Sequence, residues 1–115
     1  MEGGIALASL PQADGFIKLR PALLLRQMPP FGDWLVCGIS TQLQQRVANL
    51  DESIAPPDPD FSGSGLRAAS VIRLGFLTTL PPHRFQGVIG SVSPDRHQRL
   101  LRRLSDFLQP GAEEI

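Results

Sequence analysis

Apolar residues in the first half of the chain fall in short, dense runs cut by proline and glycine, a pattern of strands and turns rather than long helices. Residues 4–10 (GIALASL) alternate loosely and stop at Pro11, which predicts a first strand. Residues 11–15 (PQADG) have turn composition. Residues 16–26 then surround a continuous apolar centre, Ala22-Leu23-Leu24-Leu25. In residues 28–33 (MPPFGD), Pro-Pro followed by Gly-Asp rules out a continuous helix and predicts a loop. Residues 34–39 (WLVCGI) have the composition of a buried strand. Residues 18–42 therefore read as a hairpin of two apolar strands with polar chemistry at its open ends. Lys18, Arg20 and Pro21 stand at one end, and Ser40, Thr41 and Gln42 at the other.

From residue 43 to 65 the pattern fades, and Pro56, Pro57, Pro59, Gly63 and Gly65 exclude long regular structure. A connection of this length in a small domain is either functional or a disordered excursion. Strand composition returns at residues 70–74 and 76–80, with Gly75 marking a bulge or bend between them. Residues 81–84 (PPHR) turn the chain, and residues 85–92 form one more strand. Ser93 and Pro94 open a helix over residues 94–108, with Ser93 as N-cap, Pro94 at the first helical position and Asp95 in the first turn. Leu100, Leu101, Leu104, Phe107 and Leu108 recur on one helical face, and Arg96, Arg99, Arg102 and Arg103 fall mainly on the other. The sum is a mainly β chain: five to seven short antiparallel strands curled into a small barrel, with a C-terminal amphipathic helix over its open end.

Composition adds boundaries. At 115 residues the chain is expected to form one domain, and 42% apolar with 19% charged residues excludes a disordered chain. Net charge is zero, which lends no global support to nucleic-acid binding. The charges are unevenly spread, however. Asp51, Glu52, Asp58 and Asp60 share the proline-rich loop, and Glu113 and Glu114 sit in the tail. The rest of the chain carries all 11 basic residues against five acidic ones, which predicts a basic body. A lone cysteine, Cys37, excludes an internal disulfide and a cysteine-based metal site, and its apolar surroundings predict a buried, inert thiol. No apolar run approaches the roughly 18 residues of a membrane helix, and the N-terminus lacks the basic start of a signal peptide, so a cytoplasmic protein is expected.

Several segments, in order, resemble the PemK/MazF family of toxins from type II toxin–antitoxin systems. Residues 4–8 (GIALA) look like the family's opening strand, and residues 18–25 (KLRPALLL) like its Arg-Pro-Ala-Leu-Val motif, the most specific piece. Residues 37–42 (CGISTQ) resemble the strand ending in Ile-Thr-Ser. Residues 70–74 (SVIRL), Thr78-Thr79-Leu80 and residues 88–93 (VIGSVS) resemble the later strands that lead into the terminal helix. The resemblance implies an SH3-like barrel, a homodimer, and cleavage of single-stranded RNA without a metal or other cofactor. It also implies a cognate antitoxin, whose extended acidic segment covers the RNA groove.

That chemistry needs the 2′-hydroxyl deprotonated, the in-line phosphorane stabilised and the leaving 5′-oxygen protonated. The resemblance assigns the middle task to Arg20, whose planar fork suits two phosphate oxygens. It assigns a supporting hydrogen bond to Ser40, with Thr41 as the alternative one residue on, and a catalytic place to Arg73. Lys18, Thr41, Gln42 and Arg67 complete the expected substrate-binding set. From the residues alone, Arg20 reads rather as an exposed strand-end cation pairing with the acidic loop, and the family motif around it reverses that preference. Some relatives carry an aspartate two residues after the later arginine, and here that place is Gly75, which leaves no evident general base. His83 in its Pro-Pro turn and His97 in the helix read as solvated and structural, respectively. The loop between the first two strands is short and the chain has no tyrosine, so base-stacking platforms are few. An endoribonuclease toxin is the leading reading. The alternative is a weakened or inactive barrel that binds nucleic acid or a partner.

Overall fold

The dense apolar runs become central strands because both of their faces are covered. A computed structural model describes residues 1–11 and 14–111. Its strands are β1 (Gly4–Pro11), β2 (Ile17–Met28), β3 (Asp33–Ser40), β4 (Glu52–Ile54), β5 (Ser70–Leu80) and β6 (Phe85–Ser91), followed by α1 (Pro94–Leu108). They form one antiparallel sheet in the order β4-β5-β3-β2-β1-β6. The sheet curls into a half-barrel, and its edge strands β4 and β6 do not pair. The expected turn over residues 11–15 includes Gln12 and Ala13, which lie outside the described residues, as do Glu113 and Glu114.

Alternation along the strands builds two cores. Ile5, Leu23, Leu25, Cys37, Ile39, Ile72 and Leu74 face one side, where Leu100 and Leu104 of α1 join them. Ala6, Ala8, Leu10, Ala22, Leu24, Trp34 and Val36 face the other. This explains the unbroken Ala22–Leu25 run, which faces apolar neighbours on both sides. A bulge at Leu25 shifts the β2–β3 register, from Leu24 opposite Val36 to Arg26 opposite Leu35. The carbonyl of Leu25 accepts a hydrogen bond from His97 Nε2 at 2.7 Å, so His97 is structural as expected.

The helix starts where its sequence says. Ser93 Oγ accepts from the Arg96 amide at 3.1 Å, and Pro94 occupies the first turn. Its polar face differs from expectation. Arg96 lies four residues before Leu100 and eight before Leu104, on the same stripe, and is buried with them. Its guanidinium is held by Glu52 at 2.9 Å, Asp60 at 2.8 Å and Asp58 at 3.2 Å, and it donates to the Ser53 carbonyl. Arg99 and Arg103 close on Glu52 at 2.6 and 3.3 Å. Phe107 and Leu108, expected on the apolar face, extend past the core and are exposed.

The loop at residues 43–65 is therefore not a disordered excursion. It contains β4, which pairs with β5, and its acids neutralise the helix arginines rather than leaving a uniformly basic body. Asp51 is buried and bridges two amides, Val47 at 2.8 Å and Leu74 at 3.0 Å. The turn at Ser62–Ser64 packs against β6 so closely that a side chain at Gly65 would collide with the Ile89 carbonyl, and one at Gly90 with the backbone of residues 63–64. Backbone-to-backbone approach of this kind requires glycine.

Two outcomes follow for stability. Replacing Arg96 by alanine leaves buried carboxylates without their partner and is expected to cost about 3–5 kcal/mol in urea unfolding. Arg102→Ala, on the exposed side, should stay within about 0.5 kcal/mol of wild type. The hydrogen bond from Arg96 holds Asp60 down at about 2 against the opposing effect of burial. Burial alone would raise Glu52, but the Arg99 hydrogen bond and the charges of Arg99, Arg103 and Arg96 outweigh it and lower it. The unfolded chain binds these protons more readily, so the contribution is complete above about pH 5 and is lost as pH falls from about 4 towards 2. Asp60→Asn should flatten that part of the stability–pH curve.

Candidate functional site

Three neighbouring strands carry the site. Ala22 of β2 pairs with Gly38 of β3, and continuing that register outward by two residues sets Arg20 beside Ser40. On the other side of β3, Gly38 pairs with Arg73 of β5. Neighbouring strands lie about 4.8 Å apart and same-face residues about 7 Å apart, a span that long side chains close easily. Arg20, Ser40 and Arg73 accordingly line one cleft of about 160 Å³, together with Thr41, Gln42 and Phe76.

A large bulge in β5 shapes this cleft. Cys37 pairs with Leu77 and the next residue, Gly38, with Arg73, so residues 74–76 have no opposite number on β3. Within the bulge the Leu74 amide is taken up by Asp51. Phe76 folds over Gly38, where a Cβ would lie 3.4 Å from the ring, and the Arg73 guanidinium sits 5.6 Å from the ring centroid. The bulge thus holds Arg73 against the ring it stacks on. Gly75 contributes nothing to the lining, and a Cβ there would point towards Leu50 at 3.9 Å.

The polar groups are arranged for an anion. Ser40 Oγ accepts the Gln42 amide hydrogen at 3.0 Å, which leaves its own proton to donate. Among the described residues Arg20 makes no ion pair, and the acidic loop expected to compete for it is taken up by α1. Among the described residues no carboxylate, imidazole or thiol lines the cleft. Two guanidiniums and a hydroxyl donor suit a phosphate-sized group, with Arg20 able to bond it through two nitrogens.

A second cleft of about 330 Å³ lies beyond the first, and Arg20, Ile39 and Thr41 line both. Its remaining wall comes from Leu7 and Pro21, from Ile89 of β6, and from Gly65, Leu66, Arg67, Ala68 and Ser70. The expected binding residues thus divide: Gln42 in the first cleft, Arg67 in the second, Thr41 between them. Lys18 is exposed on β2 and lines neither cleft, and His83 also lies outside both. Sequence reasoning missed Phe76, whose signal was its place directly after the bulge glycine.

An open antiparallel sheet with a guanidinium-lined cleft at its strand ends and one packed helix defines a small, mainly β domain. A family model described as PemK-like, MazF-like toxin of type II toxin–antitoxin system matches residues 1–108, and the chain belongs to that family. Among solved structures it is similar to the Mycobacterium tuberculosis toxin MazF-mt6, with TM-score 0.68 and 21% identity over 94% of this chain and 99% of that one. It is also similar to a mycobacterial endoribonuclease solved in complex with its cognate antitoxin, with TM-score 0.69 and 16% identity over 96% and 97% of the two chains. A search of curated protein sequences found no significant match. At these identities the two structures speak to the fold, and they bear out the mainly β half-barrel with its terminal helix.

Cys37 lies next to Gly38 yet takes no part. It is fully buried, and burial first, then the Asp51 charge, pushes its thiol far above the ordinary range. A thiol reagent at pH 8 should label the native protein no faster than the chain unfolds, and labelling should become immediate in denaturant. Rapid labelling of the folded protein would contradict this placement.

Proposed function

We propose that the protein is a metal-independent endoribonuclease toxin that cleaves single-stranded RNA, including mRNA, and is neutralised by a cognate antitoxin. The observation that carries this reading is the convergence of Arg20, Ser40 and Arg73 on one phosphate-sized cleft, in a chain of the PemK/MazF family. Arg20 grips the scissile phosphate, Ser40 donates to one of its oxygens, and Arg73 adds charge from the β5 side. In the reaction the 2′-oxygen bonds to phosphorus as the bond to the 5′-oxygen breaks. A 2′,3′-cyclic phosphate and a 5′-hydroxyl result. The 2′-proton leaves to water, and the 5′-oxygen takes its proton from water.

The partners follow from the same surface. A cleft of this charge suits the extended acidic segment of an antitoxin, and one structural neighbour was solved with its antitoxin. The β2 end that carries Lys18 and Arg20 also exposes Phe16, Ile17 and Leu19, an apolar surface suited to a second copy of the chain. An mRNA substrate places the protein in the cytoplasm.

One observation favours a second reading. With no carboxylate or imidazole among the described residues that line the cleft, the same surface would bind RNA without cutting it. Incubation of the purified protein with single-stranded RNA separates the two readings. Cleavage is expected, unchanged by EDTA, with a rate that rises steadily between about pH 6 and 9 as more 2′-oxygen ionises. A bell-shaped profile would instead require a titrating base. Arg20→Ala should lose at least about 100-fold in rate with its circular dichroism unchanged. Binding without cleavage in the wild-type protein would replace the enzyme by the binding module.

A further inference from the structure

Two walls of the Arg20 cleft lie where the chain leaves the strand ladder. On the β5 side, Arg73 and Phe76 flank the bulge, whose residues 74–76 have no opposite number on β3. On the β3 side, Ser40, Thr41, Gln42 and Gln45 line the cleft, and the chain after Ser40 runs through turns. One buried side chain ties both walls. Asp51 Oδ1 accepts from the amide of Leu74, next to Arg73, at 3.0 Å. Its Oδ2 accepts from the amide of Val47, two residues after Gln45, at 2.8 Å. Asp51 itself lines neither the Arg20 cleft nor its neighbour. We propose that Asp51 is a positioning residue, which by bridging the two walls fixes Arg73 relative to Ser40, Thr41 and Gln42 around the scissile phosphate. This inference rests on the RNA reading above and names what sets the geometry of that site.

The chemistry of the side chain fits the task. Two backbone amides converge on one point, and each needs an acceptor. A carboxylate offers two acceptor oxygens on a short stem, whereas asparagine would turn an NH2 group towards one of the two N–H groups. Among the described residues the Asp51 carboxylate makes no ion pair, so the amides are what compensate its burial. Its backbone is held as well. The Asp51 amide donates to the Val47 carbonyl at 2.9 Å, and the next residue, Glu52, pairs with Ile72 of β5.

Both ties reach the cleft over short, stiff paths. On the β5 side the ring of Phe76 lies against Gly38, with the Arg73 guanidinium 5.6 Å from its centroid. On the β3 side Ser40 Oγ holds the Gln42 amide, the Gln42 carbonyl holds the Gln45 amide, and the Leu43 carbonyl holds the Arg46 amide. The Val47 tie to Asp51 ends that series. A phosphate in the cleft meets donors from both walls, and a misplacement of about 1 Å can cost about 100-fold in rate.

The test combines steady-state cleavage with the NMR signals of the Arg73 side chain in the intact protein. Wild-type Arg73 should carry a ring-current shift from Phe76, assigned by its loss in Phe76→Leu, and Asp51→Asn should largely remove it. Asp51→Asn should lower kcat about tenfold with KM changed less than about twofold, because Arg20 still grips the phosphate. In an Arg73→Ala background the same substitution should remove less than about a further twofold, since the residue it positions is gone. Leu104→Ala, a truncation in the core beneath the helix, is the destabilised control and should keep wild-type kcat at temperatures where it is folded. Val47→Pro deletes the amide that Oδ2 accepts. Val47 is exposed, and Arg46 before it already has the extended backbone that a following proline requires. This variant should lower kcat in the same direction, and it carries the test if Asp51→Asn does not fold. Unchanged Arg73 signals in the folded variant, or a loss of kcat fully additive with that of Arg73→Ala, overturns the positioning role and leaves the nuclease reading standing. If wild type binds an oligonucleotide with a 2′-O-methyl group at the scissile position but cleaves no RNA, the same double-mutant comparison is read on affinity. Non-additive losses then keep the positioning role and end the nuclease reading, and additive losses overturn both. Absence of RNA binding also overturns both.

Discussion

Arg96 is surrounded by three carboxylates from one loop, and the position of that loop decides much of the molecule. Removing a guanidinium from water costs several kcal/mol, and its carboxylate partners incur similar costs, so the cluster adds little net stability over an apolar replacement. What it adds is definition. Only one placement of residues 52–60 brings Glu52, Asp58 and Asp60 to the same guanidinium, while Arg99 and Arg103 take the remaining acceptor capacity of Glu52. With those residues fixed, β4 pairs with β5, and the Ser62–Ser64 turn lies on β6. The gap left by an unclosed sheet is filled by a loop rather than by strand pairing.

Asp51, one residue before Glu52, carries the constraint to the cleft. Its carboxylate takes the Leu74 amide, which the β5 bulge removes from the ladder, and the Val47 amide of the same loop. A buried amide without a partner would cost about 1–3 kcal/mol, so the bulge and the loop support each other. The bulge in turn lets Phe76 lie over Gly38 and places Arg73 on the ring. Two adjacent acids thus divide the work: Glu52 anchors the helix to the loop, and Asp51 anchors the loop to the site.

Local signals in the sequence were strong where local chemistry decides. Ser93 and Pro94 mark the helix start to the residue, and Gly75 marks the bulge. The hairpin of residues 18–42, with its polar ends, contains Arg20 and Ser40, which line one cleft. Signals failed where partners are distant in sequence. The burial of Arg96 depends on acids 36 to 44 residues away, and a helical wheel that sorts residues by polarity assigns it to solvent. Its i, i+4, i+8 spacing with Leu100 and Leu104 was the available clue, because a charge on an apolar stripe needs a buried counter-charge. The second cleft was hidden for the same reason, since its wall at residues 65–68 is placed by contacts with β6 and α1 rather than by its own sequence. Lys18 was assigned a binding role from the motif around it, and the strand leaves it outside both clefts.

The zero net charge of the chain now has a structural explanation that bears on function. A neutral chain offers no long-range attraction for RNA as a whole, but binding depends on how charge is distributed over distances of about 8 Å, the screening length at physiological salt. Glu52, Asp58 and Asp60 are spent on Arg96, Arg99 and Arg103, and Asp51 faces inward to backbone amides. None of these four acids lines either cleft, whereas Arg20, Arg67 and Arg73 do. Partition of opposite charges into a paired cluster and an unpaired cleft gives a local cationic surface within a neutral protein. The acidic loop therefore lowers the net charge of the chain without setting Asp51, Glu52, Asp58 or Asp60 beside Arg20.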